Sequence, residues 1–97
     1  MGKIVVLFES TELTQEKYDS IIAEMGDQDK PQYPRRPVHV AYQNGNNFCV
    51  IDVWNSQEEL NDFFQNTLGP IFGKLGITPP PPQIFPIHRY VISGQEG

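Results

Sequence analysis

The sequence has too few cysteines for an internal disulfide and no apolar run long enough to cross a bilayer. Cys49 is the single cysteine among 97 residues, and an unpaired cysteine suits a reducing compartment. The apolar stretch near the start, MGKIVVLFES, reaches Glu9 too soon for a secretory signal. A membrane-spanning helix needs about 20 apolar residues, and no run approaches that length. We therefore expect a cytoplasmic protein with no membrane partner.

Basic residues are also scarce. Seven lysines and arginines are outnumbered by twelve aspartates and glutamates, which gives a formal net charge of -5. Binding to phosphate backbones requires a basic stripe, so this balance argues against nucleic acid as a partner. The chain has no glycine-rich phosphate loop, no zinc-ligand spacing and no serine nucleophile elbow. Metal donors are present at His39, His88, Asp52 and Cys49, but no local spacing joins them, so we expect neither a metal nor another cofactor.

The apolar pattern predicts six elements in the order β-α-β-β-α-β. Strands are predicted at residues 3–9, 37–43, 47–54 and 83–92, where β-branched and other apolar residues concentrate. Thr14 is expected to cap the first helix, and Gly26 to end it. Ser56 and Glu59 form a capping box at the start of the second helix. Pro70 is expected to break or kink that helix at Gly69.

This order of elements is the split βαβ, or ferredoxin-like, plan of the α+β class, and it predicts one domain over residues 1–97. Right-handed crossovers place the strands in the order 4-1-3-2, all antiparallel, with both helices on one face of the sheet. Pro86 cannot donate a ladder hydrogen bond, which puts the last strand at an edge or at a bulge. The preceding run, ITPPPPQ, is predicted to be an extended spacer.

The middle strands are apolar on both faces, which is unusual for a small protein. Asn44-Gly45 is a strong hairpin signal. A two-residue loop centred on Asn44-Gly45 or on Gly45-Asn46 sorts the side chains into the same two groups by alternation. One group is apolar throughout: Val38, Val40, Tyr42, Cys49, Ile51 and Val53. The other group combines Phe48, Val50 and Trp54 with His39 and Asp52. Two helices can cover one face only, so we expect a homodimer in which a second copy covers the all-apolar face.

Two segments, DVWNSQEELNDFF and LGPIFGKLGI, together with the element order, resemble the dimeric α+β barrel superfamily. The chain is most similar to the small proteins grouped near the antibiotic-biosynthesis monooxygenases. The most specific part is Asp52-x-Trp54 followed by a capped helix with aromatic residues. The resemblance implies a homodimer whose two sheets make one barrel, with a pocket between sheet and helices. Such proteins include cofactor-free oxygenases, isomerases and haem enzymes, but residues 61–64 read NDFF where some oxygenases carry a histidine.

His39 and Asp52 are the predicted catalytic pair. The hairpin puts them on one face, with His39 opposite either Val50 or Asp52, and a carboxylate can orient an imidazole for general-base catalysis. Trp54 and Tyr18 are predicted to bind substrate, as an apolar wall and as a hydroxyl donor. His88 is a further predicted substrate-binding residue, although Pro86 can shift the register of its strand. The alternatives are that His39 and Asp52 form only a satisfied polar pair and that His88 is solvated.

The predicted function is small-molecule binding, with cofactor-independent monooxygenation or isomerisation of a small apolar or aromatic compound as its catalytic form. The alternative is a non-catalytic dimerisation or ligand-sensing module of the same fold. An RNA-recognition domain shares the element order, but the third strand, NNFCVIDVW, lacks the basic residues and the glycine of that motif. Arg35 and Arg36 are expected to be a solvated pair or, alternatively, to contact an anionic ligand.

Overall fold

The computed structural model describes residues 2–26, 35–92 and 95–96, and it shows an α+β fold built on an antiparallel sheet. The strands are β1 (Ile4–Ser10), β2 (Val38–Asn44), β3 (Asn47–Trp54), β4 (Gln83–Pro86), β5 (Val91–Ile92) and β6 (Gln95–Glu96). The helices are α1 (Gln15–Met25), α2 (Gln57–Phe63) and α3 (Gly69–Leu75). A π-helical turn, Phe64–Leu68, joins α2 to α3 and is called the π turn below.

The main sheet has the strand order β2-β3-β1-β4, which reads 4-1-3-2 from the β4 edge. β2 and β3 form the predicted hairpin, with Asn44 opposite Asn47 and a loop of Gly45 and Asn46. Gly45 has a φ of 60°, and only glycines have positive φ among the described residues. Glycine at the first central position is typical of a type II′ turn, whose twist matches that of the strands. The loop thereby sets the register of β2 against β3.

Both predicted helix starts are confirmed. Thr14 Oγ1 accepts a hydrogen bond from the Lys17 amide at 3.1 Å, and Ser56 Oγ accepts one from the Glu59 amide, also at 3.1 Å. Each hydroxyl satisfies an amide that has no partner within its helix. α1 ends at Gly26, as predicted, with a φ of 51°. These local signals fix where the two helical segments enter the fold.

Of the predicted break or kink at Gly69, the break does not occur, and the regular α-helix is instead interrupted by the π turn just before this residue. Gly69 keeps helical angles, with φ −56° and ψ −49°, and the chain stays helical from α2 through the π turn into α3. The Gly69 amide donates to the Phe64 carbonyl five residues earlier, which is the π-helical hydrogen bond. A Cβ at this position would lie 2.9 Å from that oxygen, so the close approach requires glycine. The wider turn accommodates Pro70, which has no amide to donate.

The last predicted strand, 83–92, is too long. β4 ends at Pro86. The Ile87 amide still donates a hydrogen bond to the Lys3 carbonyl, at 3.3 Å, and beyond Ile87 the chain leaves the sheet. Residues 91–92 pair instead with residues 95–96 in a separate two-stranded ribbon. The edge position of β4 is confirmed. Pro86 explains the early end, because it cannot supply the next ladder hydrogen bond.

The described helices pack on one face of the sheet and form the core there. From the sheet, the core takes Ile4, Val6, Phe8, Phe48, Val50 and Trp54. From the helices, it takes Ile21, Met25, Leu60, Phe63, Ile71 and Phe72. The face predicted to lie beneath the helices is therefore confirmed; it is called the covered face below, and the opposite one the open face. In the part of the chain that the structure describes, no helix combines the length and apolar character needed to span a membrane.

Candidate functional site

A cavity of about 60 Å³ lies on the covered face, between the sheet and the helices. Its walls are mainly apolar and include Phe8, Ile21, Val50, Leu60 and Phe72. Polar groups reach the same walls from Tyr18, Arg36, His39 and Asp52. Small-molecule sites commonly have this form, in which an apolar cavity contains a few converging polar groups. The cavity is therefore the candidate functional site.

His39 and Asp52 lie directly opposite each other on β2 and β3, which is one of the two registers that the hairpin allows. His39 Nδ1 is 2.5 Å from Asp52 Oδ1, a short hydrogen-bond distance. The Asp52 side chain is 7% exposed, whereas that of His39 is 24% exposed. The carboxylate is thus shielded from water, and a hydrogen bond in such surroundings is electrostatically stronger than in water.

Tyr18 extends this pair to three residues. Its hydroxyl oxygen lies 2.5 Å from His39 Nε2. The two rings are nearly parallel, at 13°, with centroids 6.0 Å apart, and the Phe48 ring lies against Tyr18 at 5.1 Å. Tyr18, His39 and Asp52 therefore form one hydrogen-bonded series, which is called the Tyr-His-Asp chain below.

The direction of the Tyr-His-Asp chain follows from the chemistry of its groups. An ionised carboxylate only accepts hydrogen bonds, so His39 Nδ1 carries the proton shared with Asp52. In a neutral imidazole, Nε2 then has the lone pair and accepts from the Tyr18 hydroxyl. Hydrolase triads use the same order, in which a carboxylate orients a histidine that serves as base to a hydroxyl. The arrangement can therefore take up and return a proton.

Arg36 lies inside the fold, so the expectation of a solvated arginine pair is wrong for this residue. It is 9% exposed, and its guanidinium carbon is 5.8 Å from the ring centres of both Trp54 and Phe63. These distances are in the cation–π range. Arg35, by contrast, lies at the surface within 3.9 Å of Glu59 and 3.8 Å of Asp62. One of the two neighbouring arginines thus brings a positive charge to the cavity wall.

Trp54 is the most enclosed part of the wall. Its side chain is 0% exposed, and its ring packs against Phe63 with centroids 5.4 Å apart. Two further segments contribute to the wall. Phe64 and Leu68 of the π turn line the cavity, as do Pro79 and Pro80 of the polyproline run. The run is therefore part of the site as well as a connection, and no local pattern shows which side of the sheet it crosses.

His88, a predicted substrate-binding residue whose face the sequence leaves open, does not line this cavity. It is exposed on the segment after β4 and lines a groove with Val5, Val38 and Val53, whose side chains point to the open face. The physical reason is the early end of β4 at Pro86, which carries the chain across that face. Among residues 2–26, 35–92 and 95–96, no three histidine, cysteine or acidic side chains cluster as metal ligands.

The open face keeps large apolar side chains in contact with solvent. Val40, Tyr42 and Phe85 are 48%, 40% and 51% exposed. Cys49 and Val53, both in the predicted dimer contact, are already buried within the single chain. A hydrogen bond with Cys49, followed by charge repulsion from its thiolate form, raises the pKa of Tyr42. The open face therefore favours a neutral tyrosine among apolar neighbours.

The size of the cavity limits what it can hold. An engineered cavity of about 150 Å³ accommodates benzene. The cavity here, at about 60 Å³, suits a compound of only a few non-hydrogen atoms. An aromatic ring would fit only after a wall residue has moved.

Comparisons with known proteins bear on the fold and not on the chemistry. No family model matches the chain, and no curated protein matches it. A solved structure that is similar is the "Crystal structure of a conserved protein from Methanosarcina mazei Go1", with a TM-score of 0.62 and 15% sequence identity. The match covers 89% of this chain and 93% of that one. At this identity the likeness concerns the fold alone, a small α+β domain with a four-stranded antiparallel sheet.

Proposed function

We propose that the protein binds a small apolar compound with an acidic C–H or O–H group and removes that proton without a cofactor. His39 is the base that finally holds the proton, Asp52 orients it, and Trp54 is an apolar wall. The observation that carries the proposal is the Tyr-His-Asp chain in the wall of an apolar cavity. Linked acid–base groups beside a concave site are what general acid–base catalysis requires.

The surroundings of the chain favour proton removal. Apolar walls exclude water, and charge interactions inside such a site are stronger than in solution. The Arg36 guanidinium, 5.8 Å from the Trp54 ring centre, favours the negative charge that develops as the proton leaves. The site thus combines a base with a positive charge that stabilises the product anion.

Two reactions can follow the same first step. In an isomerisation, the proton returns to a different carbon of the compound, and no other reactant is needed. In a monooxygenation, the carbanion reacts with dioxygen. One oxygen atom then replaces two hydrogens of a CH₂ group as a carbonyl, and the other oxygen leaves with those hydrogens as water. The sequence resemblance to dimeric α+β barrel proteins supports both reactions, since that superfamily contains both kinds of enzyme.

A homodimer through the open face completes the proposal, giving the barrel that the resemblance implies. The predicted contact is formed by Val38, Val40, Tyr42, Cys49, Ile51 and Val53. Because Cys49 and Val53 are already buried, a second copy would chiefly cover the others and Phe85. Burying these side chains on both subunits would contribute on the order of 10 kcal/mol before the entropy cost of association.

A ligand-sensing module without turnover is the second candidate. The observation that favours it is that both ring nitrogens of His39 have protein partners, as in a polar pair that serves only structure. Such a protein would bind compounds in the same cavity and leave them unchanged.

Deuterium exchange tests proton removal without knowledge of the natural substrate. Acetone, cyclohexanone and acetophenone are weak carbon acids of increasing size, and loss of their α-hydrogen signals in D₂O is recorded by ¹H NMR. We expect the protein to accelerate exchange most for acetone, because of the cavity volume. His39→Ala should lower the acceleration by about 100-fold or more, the usual size of a general-base contribution. His88→Ala, which changes an exposed histidine beside the open face, is the matched control and should exchange like the wild type.

The outcomes separate the two candidates. Exchange at the buffer rate with all three ketones contradicts the catalytic proposal. A ketone-dependent rise in melting temperature without exchange supports the sensing module instead. Equal losses of exchange in His39→Ala and His88→Ala would remove the cavity from the mechanism.

A further inference from the structure

Within the proposed site, the geometry points to Tyr18, and not His39, as the group that exchanges a proton with the bound compound. This inference rests on the proposed function and deepens it. In this arrangement His39 acts as the base for Tyr18, and Asp52 holds His39 in the required tautomer. The substrates implied are compounds whose acidic proton can approach the phenolic oxygen in an apolar space.

Both ring nitrogens of His39 are occupied. Nδ1 lies 2.5 Å from the Asp52 carboxylate, and Nε2 lies 2.5 Å from the Tyr18 hydroxyl oxygen. A compound that enters the cavity therefore meets an imidazole whose two nitrogens already have partners. The phenolic oxygen is at the other end of the Tyr-His-Asp chain, on a side chain that lines the cavity. A hydroxyl oxygen can accept a proton as well as donate one, so it is suited to this position.

Packing holds Tyr18 in place. Its ring is nearly parallel to the imidazole of His39, at an angle of 13°, and it also contacts the ring of Phe48, with centroids 5.1 Å apart. One turn further along α1, Ile21 is buried in the core and fixes that side of the helix. A functional group supported by packing and a hydrogen bond is preorganised for reaction. Moving Tyr18 aside to free His39 would disrupt each of these contacts.

The proton balance of the step is simple. As the compound's C–H bond breaks, its proton binds to the Tyr18 oxygen while the tyrosine's own proton passes to His39 Nε2. The electron pair of the C–H bond stays on the compound, which becomes an enolate. His39 becomes an imidazolium that the Asp52 carboxylate stabilises. Reversal of both transfers returns a proton to the compound, so no other reactant is consumed.

Reaction with methanesulfonyl fluoride tests this assignment independently of any substrate. The reagent is small and apolar. When it reacts with an activated tyrosine, an S–O bond forms, the S–F bond breaks, and the phenolic proton goes to the base while fluoride leaves. We expect Tyr18 to be modified in the wild type, as located by peptide mass spectrometry. Tyr42 is an internal control, because it is 40% exposed on the open face and bonded to Cys49 rather than to an imidazole.

Two variants distinguish a base from a merely structural neighbour. Asp52→Asn keeps the shape of the side chain and removes the charge that selects the His39 tautomer, and it should slow Tyr18 modification about 100-fold. His39→Ala should slow it at least as much, while Tyr42 reacts as in the wild type. Modification of Tyr18 at an unchanged rate in both variants would overturn the inference. So would a wild-type Tyr18 that reacts no faster than Tyr42, or a reagent that binds to His39 instead.

Ketone exchange with Tyr18→Phe then separates this inference from the proposed function. Loss of exchange in Tyr18→Phe, with the ketone-dependent rise in melting temperature retained, supports Tyr18 as the transferring group. Exchange that continues in Tyr18→Phe and stops in His39→Ala overturns the inference and leaves the proposed function standing. If the wild type exchanges no ketone, the proposed function fails, and the methanesulfonyl fluoride reaction alone decides whether His39 activates Tyr18.

Discussion

The two faces of the sheet are made by the same strands and differ in how they are covered. On the covered face, Phe48, Val50 and Trp54 of β3 are buried with the helices in one core. On the open face, Val40 and Phe85 remain about half exposed although they are equally apolar. Alternation along a strand assigns each residue to a face, but the layer packed against that face decides whether its residues form a core or a contact surface.

The polar groups differ between the faces in the same way. Asp52 is buried on the covered face and forms a hydrogen bond with His39, which forms a second hydrogen bond with Tyr18. On the open face, Tyr42, which is 40% exposed, forms a hydrogen bond with the buried Cys49. The buried carboxylate of Asp52 is tolerated on the covered face because His39 forms a hydrogen bond with it beside the cavity. The comparison predicts that substitutions on the two faces have different consequences.

The largest expected effect is loss of the core on the covered face. Trp54→Ala should lower the free energy of unfolding by about 3–5 kcal/mol, because the side chain is fully buried. Val40→Ala, on the open face, should change it by about 0.5 kcal/mol or less at concentrations where the wild type is monomeric. Urea denaturation followed by circular dichroism measures both. Equal losses would show that the open face contributes to the folding of one chain as much as the core does.

The next effect concerns association. Val40→Asp should raise the dimer dissociation constant about 100-fold or more, because two unpaired carboxylates would be buried in a symmetric contact. Sedimentation velocity over a concentration series measures the change. Asn61→Asp adds the same charge at an exposed position of α2 and should leave association unchanged. A wild type that is monomeric at micromolar concentration would contradict the dimer proposal.

A smaller effect is expected from the buried carboxylate. Asp52→Asn should cost about 1.5–3 kcal/mol of unfolding free energy, because it removes a charged partner of His39 in a shielded position. Asp62→Asn is the matched control: its side chain is 58% exposed and 3.8 Å from Arg35, so the expected loss is about 0.5 kcal/mol. Thermal and urea denaturation of both variants provide the comparison. If Asp52→Asn instead raised the free energy of unfolding, the buried carboxylate would destabilise the fold, and its presence would point to a role in function.

The smallest expected effect concerns the N-cap of α2, one of the helices on the covered face. Ser56→Ala removes the cap of α2 and should cost about 1 kcal/mol. Ser20→Ala removes a hydroxyl that donates to the Glu16 carbonyl within α1, and the expected change is about 0.5 kcal/mol or less. Matched denaturation curves distinguish them. If the two losses are equal, the cap is not what fixes the start of α2.

Local patterns were sufficient to place the hairpin residues of the site on one face of the sheet. Asn44-Gly45 predicts a two-residue hairpin, and alternation then puts His39 and Asp52 on the same face. The loop that forms is Gly45-Asn46, and that choice, which the motif leaves open, places His39 opposite Asp52 and not opposite Val50. The capping box at Ser56 likewise predicts where α2 begins. Each of these follows from residues within a few positions of one another, where backbone geometry leaves few choices.

The rest of the site depends on contacts between distant elements. The hydrogen bond from Tyr18 to His39 joins residues 21 positions apart, and it depends on how α1 packs across the sheet. Burial of Arg36 depends on rings from β3 and α2 that a charge pattern does not reveal. His88 is displaced because β4 ends at Pro86, and strand periodicity does not show where pairing stops. Packing decides all three.

The π turn has a consequence for the phase of the helix that follows it. An α-helix rotates about 100° per residue, so side chains eight positions apart would point about 80° apart. The rings of Phe64 and Phe72 are eight positions apart, yet they stack at 6.4 Å with their planes 24° apart. The π turn contains one residue more than an α-helical turn, yet the helix after it keeps the orientation that it would have without the extra residue. A helix accommodates a single-residue insertion in the same way. A side chain at Gly69 would collide with the Phe64 carbonyl. If the π turn then became regular α-helix, Ile71 and Phe72 would rotate by about 100° and point out of the protein interior.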